Sequence, residues 1–173
     1  MHVHSFPPIE DKRCSILILG SMPGKASLQA QQYYAHPRNL FWKFMATLLG
    51  IDPDTAYEAR LQQLLCHRIA VWDVLKNCTR HSSLDSDIVD ATSVPNDFPA
   101  FFREHPLVSR VFFNGAKAES MFSRLVAPSL PPGLNIQQRR LPSTSPANAS
   151  IPFEQKLEAW RVVVRTADCS DAL

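Results

Sequence analysis

Four short segments hold the residues best equipped for chemistry: Gly20-Ser-Met-Pro-Gly24, Tyr33-Tyr-Ala-His-Pro-Arg-Asn39, Asn114-Gly115 and Pro142–Ser150. The second combines aromatic rings, a cation and hydrogen-bonding side chains just ahead of an apolar stretch. Rings stack on bases and Arg38 could meet a phosphate. Phe41 and Trp42, which follow, read as packing residues of a helix. Asn39 has no useful pKa, so it could orient a water molecule but not deprotonate it; it is equally a helix N-cap. Asn114 presents one acceptor and one donor on a planar amide, matching an N–H/C=O base edge, and it also suits the left-handed turn before a glycine. Asp73 follows an apolar run and reads as a loop brace near Asn77 and Thr79. His36 reads as a brace or phosphate contact. Lys25, Arg38, Lys117, Arg139 and Arg140 are candidate phosphate contacts.

The first segment fails as a phosphate-binding P-loop. It is one residue short, Ala26 stands where a magnesium-binding hydroxyl belongs, and Pro23 removes an amide donor. No GxGxxG is present. The four cysteines, Cys14, Cys66, Cys78 and Cys169, form no CxxC pair, and the six histidines show no HExxH spacing. Free thiols and no metal are therefore expected, and no cofactor is called for.

The elements that must position these residues follow from hydrophobic patterning. Apolar runs at Ser15–Leu19, Ile69–Leu75, Val108–Phe113 and Asn135–Leu141 read as strands, the first as a buried parallel strand. Helices are expected over 39–49 (stopped by Gly50), 55–66, 97–104, 116–126 and from Pro152 to about Thr166, with a short one over 83–89 begun by Ser-Leu-Asp. Residues 28–38 read as irregular, and Pro128–Gly133 as a turn. This alternation implies βαβ units around a small parallel sheet. Ligands of such sheets bind beyond the carboxyl ends of the strands, where the chemical segments fall.

In combination, Gly20-Ser-Met-Pro-Gly24, Tyr34-Ala-His-Pro-Arg-Asn-Leu-Phe-Trp42, Phe113-Asn-Gly115 and Ser143-Thr-Ser-Pro-Ala-Asn148 resemble the uracil-DNA glycosylase superfamily, most closely its hypoxanthine-DNA glycosylase branch. The motifs span residues 19–149 in the family's order. The resemblance implies a three-layer α/β/α sandwich around a four-stranded parallel sheet. It also implies an enzyme that flips a deaminated base out of DNA and hydrolyses its glycosidic bond. By position, Gly20 and Met22 would line the base pocket, Tyr34 would stack on the base and Asn114 would read its edge. Ser143, Thr144, Ser145, Pro146 and Asn148 would form the loop entering the minor groove, with Arg38 and Lys117 on phosphates. Ser21 sits where other branches place a water-activating Asp or Asn, so the resemblance passes that duty to Asn39. Ser145 stands where some branches have a catalytic His.

The chain has 173 residues, 45% apolar and 20% charged, with a net charge of +2. That suits one α/β domain over 1–173, with 1–13 as a peripheral lead-in and 167–173 as a frayed tail. The weak positive charge argues against a long charged footprint on DNA. No membrane span and no secretory signal are seen, so an intracellular, cytoplasmic monomer with access to DNA is expected. Alternatives are a uracil or mismatch-specific glycosylase, an inactive DNA-binding module and a small-molecule nucleotide binder.

Overall fold

The computed structural model describes residues 1–165; Thr166, the tail 167–173 and Cys169 lie outside the described residues. The three most apolar segments form strands β2 (Ile16–Gly20), β3 (Ile69–Asp73) and β6 (Arg110–Asn114), and β7 (Gln137–Leu141) completes a sheet of order β3-β2-β6-β7. All its pairings are parallel, with Leu19 opposite Trp72 and Phe113, and Gly20 opposite Asp73. Strands buried on both faces read as continuous apolar runs, and every residue of β2 and β3 is buried.

Strand alternation divides the core in two. Leu17, Leu19, Ala70, Trp72, Val111 and Phe113 face one cluster. Helices α4 (Phe98–Glu104) and α5 (Ala116–Met121), the latter prolonged by a π turn over Phe122–Val126, pack there. Ile16, Ile18, Ile69, Val71 and Phe112 face the other cluster, shared with α2 (Phe41–Leu49), α3 (Tyr57–Cys66) and α6 (Phe153–Trp160). Helices thus cover both faces of the small parallel sheet, as expected. Local signals act where the sequence places them: Asp97 Oδ1 caps α4 by accepting from Ala100 N at 3.0 Å, and Gly50 ends α2 at φ +69°.

Three expectations are corrected. The 1–13 segment is not peripheral: β1 (His2–His4) pairs with a further strand, Val3 is buried in the core, and Ile9 bridges Val71. The chain does not leave strand structure at Leu75; β4 (Leu75–Arg80) and β5 (Ile88–Pro95) form an antiparallel sheet of order β1-β4-β5. The helix expected over 83–89 is a single 3₁₀ turn, Asp85–Asp87, leading into β5. In β4 the inward residues are Leu75, Cys78 and Arg80; register shifts between Leu75 and Thr79 break the period of two and one inward residue is an arginine, so the strand carries no clear hydrophobic pattern. A short helix, α1 (Lys25–Ala30), also occupies part of the stretch read as irregular.

Candidate active site

The carboxyl ends of the four parallel strands open into one cleft of about 560 Å³, lined by Gly20–Ser27, Tyr34, Asn39, Asp73, Ser83–Ser86, Asn114–Lys117 and Ser143–Asn148. That lies within the ~300–1,000 Å³ usual for small-ligand sites. Gly20, Ser21, Met22, Tyr34, Asn39, Asn114, Lys117, Ser143, Thr144, Ser145, Pro146 and Asn148, all singled out in the sequence, meet here. Arg38 is exposed and lies outside the lining. Lys117 lines the cleft, but its ammonium pairs with Asp90 at 2.8 Å.

Asn114 ends β6, and its amide is fixed by one residue. Thr144 N donates to its Oδ1 at 2.9 Å and its Nδ2 donates to Thr144 Oγ1 at 2.9 Å. A backbone N–H can only donate, so this pair sets which amide atom is the oxygen. One lone pair and one N–H remain for a ligand. Gly115 follows at φ +98°, and a Cβ there would lie 3.0 Å from Ser143 Cβ. Both conformation and space demand glycine at that position.

Thr144 O in turn accepts from Leu40 N at 3.0 Å. One residue earlier, Asn39 Oδ1 accepts from Phe41 N at 2.9 Å, an Asx turn leading into α2. The N-cap position itself is Leu40, so Asn39 is not the cap; it braces the turn before the helix and lines the cleft, and the bond to Phe41 occupies one of its acceptor lone pairs. Phe41 is fully buried and stacks on Tyr34 with centroids 4.1 Å apart, so Phe41 and Trp42 are packing residues as read. Tyr34 is held at φ +56°, a conformation costing roughly 1–3 kcal/mol for a non-glycine residue. With one ring face on Phe41, the half-buried Tyr34 presents the remainder to the cleft.

The Ser143–Asn148 loop is clamped from α6. Buried Lys156 donates through Nζ to Ser143 O at 2.9 Å and also to Asn148 O. Trp160 Nε1 donates to Pro142 O at 2.9 Å. Burial pushes the Lys156 amine below its usual pKa.

The opposite chemistry gathers around Asp73. Its carboxylate is 3% exposed. A Cβ on Gly20 would lie 2.6 Å from Asp73 Oδ1, so glycine at 20 makes room for this carboxylate. Asp73 Oδ2 has no hydrogen-bond partner. The sequence reading of Asp73 as a loop brace is overturned: its backbone O accepts from Asn96 Nδ2 at 2.8 Å, but its carboxylate braces nothing among the described residues. Burial first, and then the charge of Asp85, raise its pKa to about 7, against the pull of Arg80. Arg80 is fully buried behind the first loop, where it donates to Pro23 O. Among the described residues, four of the six buried side-chain atoms without partners belong to Tyr34, Asp73 and Arg80, so the unsatisfied groups concentrate at this site.

Sequence reasoning missed Asp85, Ser83, Arg80 and Lys156. Ser21 Oγ donates to Asp85 Oδ1 at 2.5 Å, and Lys25 N donates to Ser83 Oγ at 3.0 Å. The β4–β5 loop is thereby tied to the first loop. Its only sequence signal is the polar run Ser82-Ser-Leu-Asp-Ser-Asp87, which takes meaning once the hairpin returns it to the sheet.

The matches to known proteins agree with this geometry. The family model of the uracil DNA glycosylase superfamily matches residues 7–164. A hypoxanthine DNA glycosylase of Methanosarcina acetivorans is 37% identical over 161 residues, 92% of this chain and 96% of the relative. One from Methanosarcina barkeri is 38% identical over 119 residues, 68% and 74% of the two chains. The solution NMR structure of a Methanosarcina acetivorans protein, provisionally assigned as a uracil DNA glycosylase, superposes with a TM-score of 0.78 at 36% identity, covering 95% of this chain and 98% of that one. The fold and the cleft at its strand ends define an α/β enzyme of the base-excision type. The chain belongs to the uracil DNA glycosylase superfamily, whose glycosylases hydrolyse N-glycosyl bonds. Its substrate is therefore DNA. Among the described residues no helix is long and apolar enough to cross a membrane.

Proposed function

We propose that this protein excises hypoxanthine from deoxyinosine-containing DNA, acts as a monomer, and leaves an abasic site without cutting the strand. The observation that carries the reading is the Asn114–Thr144 lock at the strand ends. It leaves one donor and one acceptor of a fixed amide facing a cleft floored by Tyr34, and the N–H/C=O edge of hypoxanthine complements that pair. The similarity to two Methanosarcina proteins named hypoxanthine DNA glycosylase supports hypoxanthine as the base.

A base must leave the duplex to reach such a cleft. Stacking on Tyr34 offsets part of that cost, by roughly 1–3 kcal/mol. The loop Ser143, Thr144, Ser145, Pro146 and Asn148, held by Lys156, takes the vacated place in the stack, and Arg38 and Lys117 contact phosphates. Gly20 and Met22 wall the base. Lys117 is the weaker of the two cations here because Asp90 already holds it. As the base departs, the sugar gains cationic character, so an oriented water suffices as nucleophile. Asn39, with a lone pair beyond its bond to Phe41, and Ser21 hold that water.

The test uses three labelled duplexes carrying inosine, uracil or a normal base at one position, incubated with excess protein and heated in alkali. Cleavage is expected at inosine, and Asn39→Ala is expected to lower its rate by about 10²-fold and to cost about 1 kcal/mol of stability as the hydrogen bond to Phe41 N is lost. Retardation of the inosine duplex without cleavage by a folded protein would replace this reading with a DNA-binding module; cleavage at uracil alone would move it to another branch.

A further inference from the structure

The loop Gly20–Gly24 carries no carboxylate of its own, yet the fold delivers one to it. Asp85, from the loop between β4 and β5, accepts from Ser21 Oγ at 2.5 Å through Oδ1. Among the described residues its Oδ2 makes no hydrogen bond, and the residue is exposed on the cleft wall. We propose that Asp85 is the proton acceptor of the glycosylase reaction, positioned by Ser21, and so a catalytic residue contributed from the antiparallel sheet. The proposal rests on the glycosylase reading above.

The other candidates fit this role less well. Asn39 is an amide, and one of its lone pairs already serves Phe41 N. Asp73 is almost wholly buried, with Oδ1 packed against Gly20, so water reaches it poorly. Asp85 faces Ser21 at the end of β2, Asp73 at the end of β3, Arg80 of β4, Lys117 of α5 and the hydroxyl of Tyr34. The hydrogen bond from Ser21, and then Arg80 and Lys117, favour its ionised form; desolvation in the cleft wall opposes it. The net pKa is raised, with desolvation as the largest cause, which makes the carboxylate a better proton acceptor than an ordinary aspartate.

In the step itself, the bond from C1′ to N9 breaks and its electron pair leaves with the base. The water oxygen bonds to C1′, and one water proton passes to Asp85 Oδ2. That proton is then lost to solvent and the departing base takes one up. The two hydrogens of the water thus end on the sugar hydroxyl and on hypoxanthine.

A purely structural Asp85, pinning one loop to another, makes a different forecast. An asparagine at 85 keeps an oxygen to accept from Ser21, so the pin survives while the base is lost. Single-turnover release of hypoxanthine from an inosine duplex is expected to fall about 100-fold in Asp85→Asn. Its melting temperature should not fall, and its duplex binding should be equal or tighter. The wild-type rate should rise with pH through the Asp85 titration, because the ionised form is the active one, and that rise should vanish in Asp85→Asn. Sodium formate should restore part of the rate to Asp85→Ala. An Asp85→Asn protein with the wild-type rate and pH profile would overturn the proposal and leave the glycosylase reading standing. A wild-type protein that binds the inosine duplex and releases no base would overturn both.

Discussion

The two walls of the cleft are built on opposite principles. On one, Asn114, Thr144, Leu40 and Asn39 form a chain in which the inward polar groups are paired, from 2.9 Å to 3.0 Å, and the loop above is tied down by Lys156. On the other, the buried Asp73 and Arg80 and the hydroxyl of half-buried Tyr34 carry unpaired atoms, and Ser21 and Asp85 stand at the edge of that group. A fully satisfied network is rigid and presents fixed donors and acceptors, which suits recognition. An unsatisfied, charged cluster is expensive to fold, and such clusters persist where chemistry uses them. In the proposed reaction, base reading draws on the β6–β7 side of the parallel sheet and proton transfer on its junction with the antiparallel sheet.

Substitutions on the two walls should therefore change stability with opposite signs. The largest effect is expected at the satisfied wall. Asn114→Ala removes the base-reading amide and strands Thr144 N, so kcat/KM on inosine DNA should fall about 10³-fold, with stability lowered by about 1–3 kcal/mol. Steady-state kinetics with a denaturant melt checks both. Asp73→Asn should instead stabilise. The native pKa of about 7 exceeds the ordinary 3.8, so the folded protein holds more protons than the unfolded chain between those values. Stability is then lost as pH rises through that window, on the order of 4 kcal/mol by linkage. A neutral amide still carries a desolvation cost, which leaves a net gain of about 2 kcal/mol at pH 8. The gain should vanish below about pH 3.8 in the same melts, and a gain independent of pH would contradict the account. The smallest effect is expected at the clamp. Lys156→Met fills the same space but frees Ser143 O and Asn148 O, and should weaken binding to an inosine duplex about tenfold, or about 1.4 kcal/mol.

The parallel sheet was legible because β2, β3 and β6 are unbroken apolar runs, and the topology of such sheets then fixes where a ligand sits. That topology alone places Gly20, Asn114 and the Ser143–Asn148 loop at one cleft. The antiparallel sheet was not legible. Arg80 occupies an inward position of β4, only Ile88 of the eight residues of β5 is buried, and β1 has three residues. None of these has a hydrophobic period, so local pattern carries no strand signal and only tertiary pairing reveals them. Everything those strands position is lost with them: Asp85 falls within the short helix expected over 83–89, and Asp73 reads as a brace. Lys156 was hidden differently, since a lysine on an amphipathic helix reads as solvent-facing until a loop is found folded over it.

The account's central claim is base release by hydrolysis, and the products test it most directly. An inosine duplex incubated with excess protein in EDTA, and separated by chromatography without heat or alkali, should yield free hypoxanthine in step with an abasic, uncut strand. An unmodified duplex should yield neither. A nicked strand without free hypoxanthine, or a folded protein that binds the inosine duplex and releases no base, would contradict it.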